Sequence, residues 1–415
     1  MQTRLSPLFA LDENAKIAET MLRRCVHCGM CSATCPTYQL TGNELDSPRG
    51  RIYLMKQVLE GAAATPETQA HLDRCLTCRA CETTCPARVE YSKLLDFGRW
   101  IVEQQVQRPR RQRWLRYGLR YLMNSPTLFA ASYRFGQSVR GALPASLKQK
   151  ILPKSPLKSL PTQTHQRKVL LPLGCVQPAM SPNIDHATRR VLDKLGVQVV
   201  QPAMQNCCGA VNLHLNAHED ALNQMRRNID AWFPQIADGT VLISNASGCG
   251  ATIKEYAHHL RNDVNYAEKA RKISEHTLDI VEFLLQESEA LRDLLAQRFS
   301  AADGSAKIPK IAYHAPCSLQ HGQKLKGSVE QLFQRLGIAF SLPRDAHLCC
   351  GSAGTYSVLQ SELSQQLRAH KLQALSESQP ERIVSANIGC IAHLHTPQLP
   401  VQHWIEFLDD ILQTA

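Results

Sequence analysis

Two stretches of this chain read C-x2-C-x2-C-x3-C-P: Cys25, Cys28, Cys31 and Cys35-Pro36, then Cys75, Cys78, Cys81 and Cys85-Pro86. No other feature narrows the fold so much. Eight thiols confined to two short loops must converge on something that wants soft anionic ligands. The spacing is that of domains holding two iron–sulfur cubanes, in which the fourth cysteine of each run ligates the other run's cluster. Two residues between ligands let one loop wrap three corners of a cubane, and the trailing Cys-Pro reaches the fourth corner of the next. One cluster is then expected on Cys25, Cys28, Cys31 and Cys85, the other on Cys75, Cys78, Cys81 and Cys35. Structural zinc also uses C-x2-C pairs, but as two separated pairs rather than four cysteines in one loop.

Length sets the scale for the rest. The 415 residues suit about three domains. Sixteen cysteines are many for a reduced protein, yet far too sparse for a small disulfide scaffold. Asp12 and Glu13 interrupt the early apolar patch before a signal-peptide core forms. No apolar run reaches the roughly 20 residues of a membrane span. These features predict a cytoplasmic protein whose cysteines serve as ligands. The net charge of +11 is local: Gln104 to Ile184 holds 14 Lys and Arg and no Asp or Glu, leaving 33 basic and 36 acidic residues elsewhere. Such a stretch predicts a docking surface, and without a recognition motif it gives no case for nucleic-acid binding.

The expected fold class is α+β and multidomain: an α-helical ferredoxin domain with two [4Fe–4S] clusters, followed by two tandem α/β Cys-Cys-Gly repeats. Residues 1–104 form the first domain. Arg51 to Glu60 reads as a helix with Ile52, Met55 and Leu59 on one face and Gly61 as its stop, and Val89 to Gln104 as a second. Residues 105–165 form a basic connector. Its arginines, interleaved with Trp114, Tyr117 and Tyr121, suit a helix at a membrane interface, or one packed by its aromatics on the first domain. Pro153 to Pro161 reads as an extended linker.

From residue 166 the chain repeats itself, with copies at 166–300 and 301–415. Cys175, Cys207-Cys208-Gly209 and Cys249 recur as Cys317, Cys349-Cys350-Gly351 and Cys390, each about 142 residues further on. Ile280-Val281-Glu282-Phe283-Leu284 answers Trp404-Ile405-Glu406-Phe407-Leu408. Each copy alternates strand and helix (strand, helix Arg189 to Leu195, strand Val197 to Val200), which predicts mostly parallel sheets with each cysteine just after a strand or on a loop at a strand's carboxyl end. Four cysteines per copy suit a further iron–sulfur site, a zinc site or an unmetallated thiol cluster, giving one or two additional sites. The copies differ chemically: His314, His347 and His393 of the second stand where the first has Pro172, Gln205 and Thr252. The imidazoles suit metal ligation or proton transfer, or a purely structural role.

No G-x-G-x-x-G follows a strand, and neither a P-loop nor a Ser/His/Asp signature is present. Single-electron ligands without a hydride-handling site describe a subunit whose partner carries the flavin. A self-contained thiol/disulfide reductase working at the Cys-Cys-Gly pairs is the competing reading.

The sequence from Cys25 to Leu40, with Glu44 to Leu54 and His71 to Pro86, resembles the iron–sulfur subunit of bacterial glycolate oxidase. The resemblance runs through nearly the whole chain. The repeats are shared more widely, with iron–sulfur subunits of anaerobic glycerol-3-phosphate dehydrogenase, lactate-utilisation proteins and heterodisulfide reductases. Those wider relatives end each repeat in C-x-x-C, where this chain has Thr252 and His393 as the last residue. The resemblance implies a complex with two flavoprotein subunits that carry FAD and oxidise glycolate, and also D-lactate. It implies that electrons leave through this chain to a quinone or other membrane acceptor, from a peripheral position on the cytoplasmic face of the inner membrane. The eight N-terminal cysteines are the ligands it implies, and no substrate-oxidising residue is expected here.

Overall fold

A computed structural model describes residues 1–202, 207–301 and 308–413. Gln205, one of the positions compared between the copies, lies outside the described residues. The chain divides into two compact units that are not continuous in sequence. The smaller comprises Met1–Leu119, Asn212–Ala217 and His347–Lys371; the larger comprises the remainder.

The smaller unit is helical. Its central helix spans Pro48–Leu59: the Ser47 hydroxyl accepts from the Gly50 amide at 3.0 Å. Pro48 occupies the first turn, where its missing N–H costs nothing. Ile52, Met55, Val58 and Leu59 are buried against Leu94, Leu95, Ile101 and Val102 of the helix Tyr91–Gln105 and Ala15, Ala18 and Leu22 of the helix Glu13–Arg24. The three-to-four spacing of these apolar residues gives each helix one buried face.

The larger unit contains two four-stranded sheets, both wholly parallel. Strands β1 (Arg167–Leu170), β2 (Val197–Val200), β3 (Val241–Ser244) and β4 (Thr277–Asp279) run in the order β2-β1-β3-β4. Strands β5 (Ile311–His314), β6 (Phe340–Ser341), β7 (Arg382–Ser385) and β8 (Val401–His403) repeat that order as β6-β5-β7-β8. The helix expected at Arg189 begins earlier, spanning Asn183–Lys194, because Ile184, Ala187, Thr188, Val191 and Leu192 form one buried face. This unit also joins the copies: Arg190 grips the buried Asp409 through both carboxylate oxygens at 2.6–3.1 Å. Removing one partner of such a buried pair costs about 3–5 kcal/mol.

The connector is more ordered than a linker. It holds helices Arg110–Asn124 and Pro126–Ser138. Its proline-rich end packs on the first repeat, where Asn183 donates to the Pro156 carbonyl at 2.9 Å and Arg190 to that of Ser159 at 2.9 Å.

Candidate metal centres

Each N-terminal run curls through two left-handed residues at matching positions. In the first they are His27 (φ 55°) and Gly29 (φ 82°); in the second, Thr77 (φ 54°) and Arg79 (φ 62°). The curl turns loop amides toward sulfur: the Thr77 N–H reaches Cys75 Sγ at 3.4 Å, and the His27 N–H bonds to Cys25. The helices beyond close the loops, so Cys35 and Cys85 immediately precede Pro36 and Pro86.

The fold brings the thiols together crosswise. Burial pushes the Cys31 thiol up to about 11, with Cys25, Cys85 and Cys28 adding like charge. Burial likewise raises Cys25, helped by Cys85 and Cys28. In the other group burial raises Cys81 well above the ordinary range, with Cys78, Cys75 and Cys35 contributing. Each group of four thus includes one cysteine from the other run. Four thiols gathered this closely, some of them buried, resist ionisation together, and a cationic iron core would relieve that repulsion and deprotonate the sulfurs. The residues present therefore fit the clusters that their spacing requires.

Around the second group lies a polar shell. The fully buried Arg51 guanidinium reaches the His71 carbonyl at 2.7 Å, Thr37 Oγ1 at 3.2 Å and Cys35 Sγ at 4.0 Å. Asp46, equally buried, faces His71 Nδ1 at 2.8 Å, Arg74 at 3.2 Å and Arg51 at 3.6 Å. Arg99 donates to the carbonyls of Leu72 and Cys75, both at 2.8 Å, and Tyr91 Oη points at Cys75 Sγ at 3.8 Å. Sequence reasoning missed this shell. Its one signal was Arg51 itself, a charge four residues before Met55 on the face that packs inward.

In the first repeat, Cys175, Cys207, Cys208 and Cys249 converge. Cys175 follows β1 and Cys249 sits in the helix Ser247–Ile253 after β3. Both therefore stand where the strand order reverses, the usual ligand position in such sheets. Cys249 and Cys390 each lie shortly after a strand, as expected, in the first turn of the helix that follows it. Thiol hydrogen bonds to Cys207 raise Cys175 and Cys208, and those same bonds, with the Gly209 and Val211 amides, hold Cys207 well below the ordinary thiol range. Asn228 fixes the Cys207 carbonyl at 3.0 Å and Tyr256 that of Cys208 at 2.9 Å. Cys207 is hydrogen-bonded to Cys175 and Cys208, and Cys208 in turn to Cys249, so the four sulfurs form one connected donor set suited to a soft metal.

The second repeat is distributed differently. Cys317, Cys390, His314 and His393 belong to the larger unit, while Cys349 and Cys350 belong, with His347, to the segment counted in the smaller one. His314 ends β5 and pairs through Nδ1 with Ser385 Oγ at 3.0 Å; His393 lies one helical turn beyond Cys390 in the helix Ile388–Leu394.

Comparison with known proteins agrees with this layout. Residues 21–89 match a 4Fe-4S dicluster domain, and residues 169–254 and 311–395 each match a cysteine-rich domain. The chain is 50% identical to the glycolate oxidase iron–sulfur subunit of Escherichia coli (strain K12), over the whole of both chains. It belongs to the glycolate oxidase iron–sulfur subunit family. The probable glycolate oxidase iron–sulfur subunit of Bacillus subtilis (strain 168) is 29% identical over 91% of this chain and 89% of its own. Lactate utilization protein A of Geobacillus thermodenitrificans (strain NG80-2) is 28% identical, covering 55% of this chain and 90% of its own. The chain is thus an iron–sulfur electron-transfer subunit of an oxidoreductase.

Proposed function

We propose that this chain carries electrons from a flavoprotein partner that oxidises glycolate, and also D-lactate, to a quinone-type membrane acceptor. Two [4Fe–4S] clusters, on Cys25/Cys28/Cys31/Cys85 and Cys75/Cys78/Cys81/Cys35, form the first part of the route, and the repeat cysteines extend it. The observation that carries this reading is the crosswise gathering of thiols in the dicluster domain. FAD would sit on two partner subunits. The reductase reading is disfavoured by burial, since Cys207 is fully enclosed and out of reach of a disulfide substrate.

Peripheral attachment to the cytoplasmic face of the inner membrane is supported by the helix Arg110–Asn124. None of its residues is buried, and Trp114, at 72% exposed, projects with Tyr117 and Tyr121 beside Arg110, Arg111 and Arg113. Aromatics beside arginines suit the boundary between headgroups and acyl chains. Among the described residues no helix is long and apolar enough to cross a membrane.

The test is metal analysis with EPR on the anaerobically purified complex. Two clusters require about 8 iron atoms per chain, and one or two more in the repeats raise that to about 12–16. Adding glycolate should develop the reduced-cluster signal, and Cys85→Ser should abolish the cluster of the Cys25 run while sparing the other. A colourless, zinc-loaded protein, or clusters that glycolate leaves oxidised, would overturn the assignment.

A further inference from the structure

The two thiol groups stand in different electrostatic surroundings. Beside the first, Cys28 is exposed, as are the neighbouring side chains Val26 (69%), Met30 (52%) and Tyr53 (46%). The nearby cations are the Met1 ammonium, which donates to the Cys25 carbonyl at 2.6 Å, and Arg49, which is solvated and tied to Glu44 at 2.5 Å. Water and its own partner therefore cancel most of the Arg49 field.

The second group is enclosed. Cys35 and Cys81 are buried, and two buried guanidiniums face it: Arg51 within 4.0 Å of Cys35 Sγ, and Arg99 on the Cys75 carbonyl. Against them stand one buried carboxylate, Asp46, which Arg51 (3.6 Å) shares with His71 and Arg74, and the partly exposed Glu82, whose oxygen accepts from the Ser92 amide at 2.5 Å. The local balance is positive, and in a low-dielectric site that charge is weakly screened.

The enclosed group also faces the segment carrying the next cysteines, all within the same compact unit. Tyr356, itself buried, donates to the Arg74 carbonyl at 3.2 Å, next in sequence to Cys75. Its hydroxyl is driven upward by burial first, with the Cys75 and Cys349 thiolates both adding. Tyr356 is therefore close to a ligand of the second cluster and to the Cys349–Cys350 pair.

We infer that Arg51 is a positioning and potential-setting residue, which holds the Cys75/Cys78/Cys81/Cys35 cluster at a higher reduction potential than the Cys25/Cys28/Cys31/Cys85 cluster and so gives the pair a direction. A cluster gains one negative charge on reduction, and a fixed buried cation favours that state. An electron arriving at the exposed cluster reduces it by one unit. Transfer returns that cluster to its oxidised state and reduces the enclosed one, with no other reactant. The electron then rests beside Tyr356, facing Cys349 and Cys350. The apolar rim of the exposed cluster is accordingly the entry side, fitted to a partner that donates single electrons.

This rests on the crosswise ligation proposed above. The experiment is an EPR-monitored redox titration of the whole complex carrying Arg51→Met or Arg51→Lys. In Arg51→Met one cluster should become harder to reduce by at least tenfold in its reduction equilibrium, about 59 mV for one electron. The other should not move, and Arg51→Lys should stay near wild type. No shift in Arg51→Met, or equal shifts in both clusters, overturns the inference. Should Arg51→Met lose iron, Asp46→Asn decides: the enclosed cluster must then become easier to reduce, and an unchanged potential overturns the inference. Wild type without two [4Fe–4S] signals would instead overturn the ligation, and the inference with it.

Discussion

The two Cys-Cys-Gly turns look equivalent in sequence, but the structure predicts that they answer differently to alanine. Gly351 has φ +90°, and a Cβ there would lie 2.7 Å from the Ser364 carbonyl oxygen and 2.8 Å from Leu367 Cβ. Neither neighbour can yield easily: Ser364 is fully buried and its hydroxyl donates to the Gly351 carbonyl at 2.7 Å. Gly209 has a similar φ of +99°, but its added Cβ would meet Met225 Cε at 3.2 Å. That atom is the far end of a flexible side chain, which gives way at little cost. Both substitutions carry the backbone cost of a left-handed residue, about 1–2 kcal/mol. Gly351→Ala adds overpacking against rigid neighbours, about 1–3 kcal/mol more. Because a two-unit chain does not unfold in one step, the readout is hydrogen exchange of residues 347–371 rather than a global midpoint. A loss of about 2 kcal/mol or more corresponds to exchange at least 30-fold faster in Gly351→Ala. Gly209→Ala should leave that segment unchanged and loosen its own turn by less. Equal effects at the two turns, or unaltered protection in Gly351→Ala, would refute the packing argument.

Two further outcomes follow from charge. His403 caps the final helix by accepting from the Ile405 amide at 3.1 Å, and burial pulls it down to about 3, against the carbonyls of Ala386 and Asn245. With its folded value below the ordinary 6.5, its contribution is complete above that pH and is lost as pH falls toward the folded value. His403→Asn keeps a cap, so between neutral pH and mild acid the hydrogen-exchange protection of the final helix, Trp404–Gln413, should fall less in the variant than in wild type; equal losses would exclude His403 as a source of acid sensitivity. At the connector, Arg110→Glu, Arg111→Glu and Arg113→Glu together remove about 3 kcal/mol of attraction to anionic lipid, roughly 100-fold in binding. Vesicle sedimentation of the complex measures it, and unchanged pelleting would leave the helix with only a packing role.

What the sequence made legible was local. The cysteine runs declare themselves because ligand spacing is set within one loop, and the inward face Ile52, Met55 and Leu59 because helical period is a property of neighbours in sequence. The near-constant offset between matching cysteines revealed the repeat because each copy solves the same folding problem with the same order of strands and helices. The misses were all non-local. Asn183-Ile184-Asp185 reads as the approach to a helix, yet Asp185 is buried in it, accepting from Gln177 at 3.0 Å and Asn245 at 2.8 Å, the latter 60 residues away. Arg51 shares the inward face of its helix with Met55, but its partners His71, Thr37 and Cys35 are brought to it only by the fold.

The same distinction bears on the repeat. Strand order in the two sheets is identical, as the equal cysteine spacing suggests, while the histidines of the second copy already mark the two sites as chemically different. Spacing, however, records only what each copy packs within itself. In the first copy the cysteines, including the adjacent pair, belong to one compact unit; in the second the pair is carried on a segment counted with the dicluster domain. The motif Cys-Cys-Gly is the same in both copies, so the difference comes from residues outside it. Tyr356, seven residues beyond Cys349, donates to the Arg74 carbonyl beside Cys75, while in the first copy only the short segment Asn212–Ala217 beyond the pair is counted with the smaller unit. A duplicated sequence therefore gives two sulfur sets with the same spacing, and residues outside the repeated motif, Tyr356 among them, tie the second cysteine pair into the compact unit of the dicluster domain.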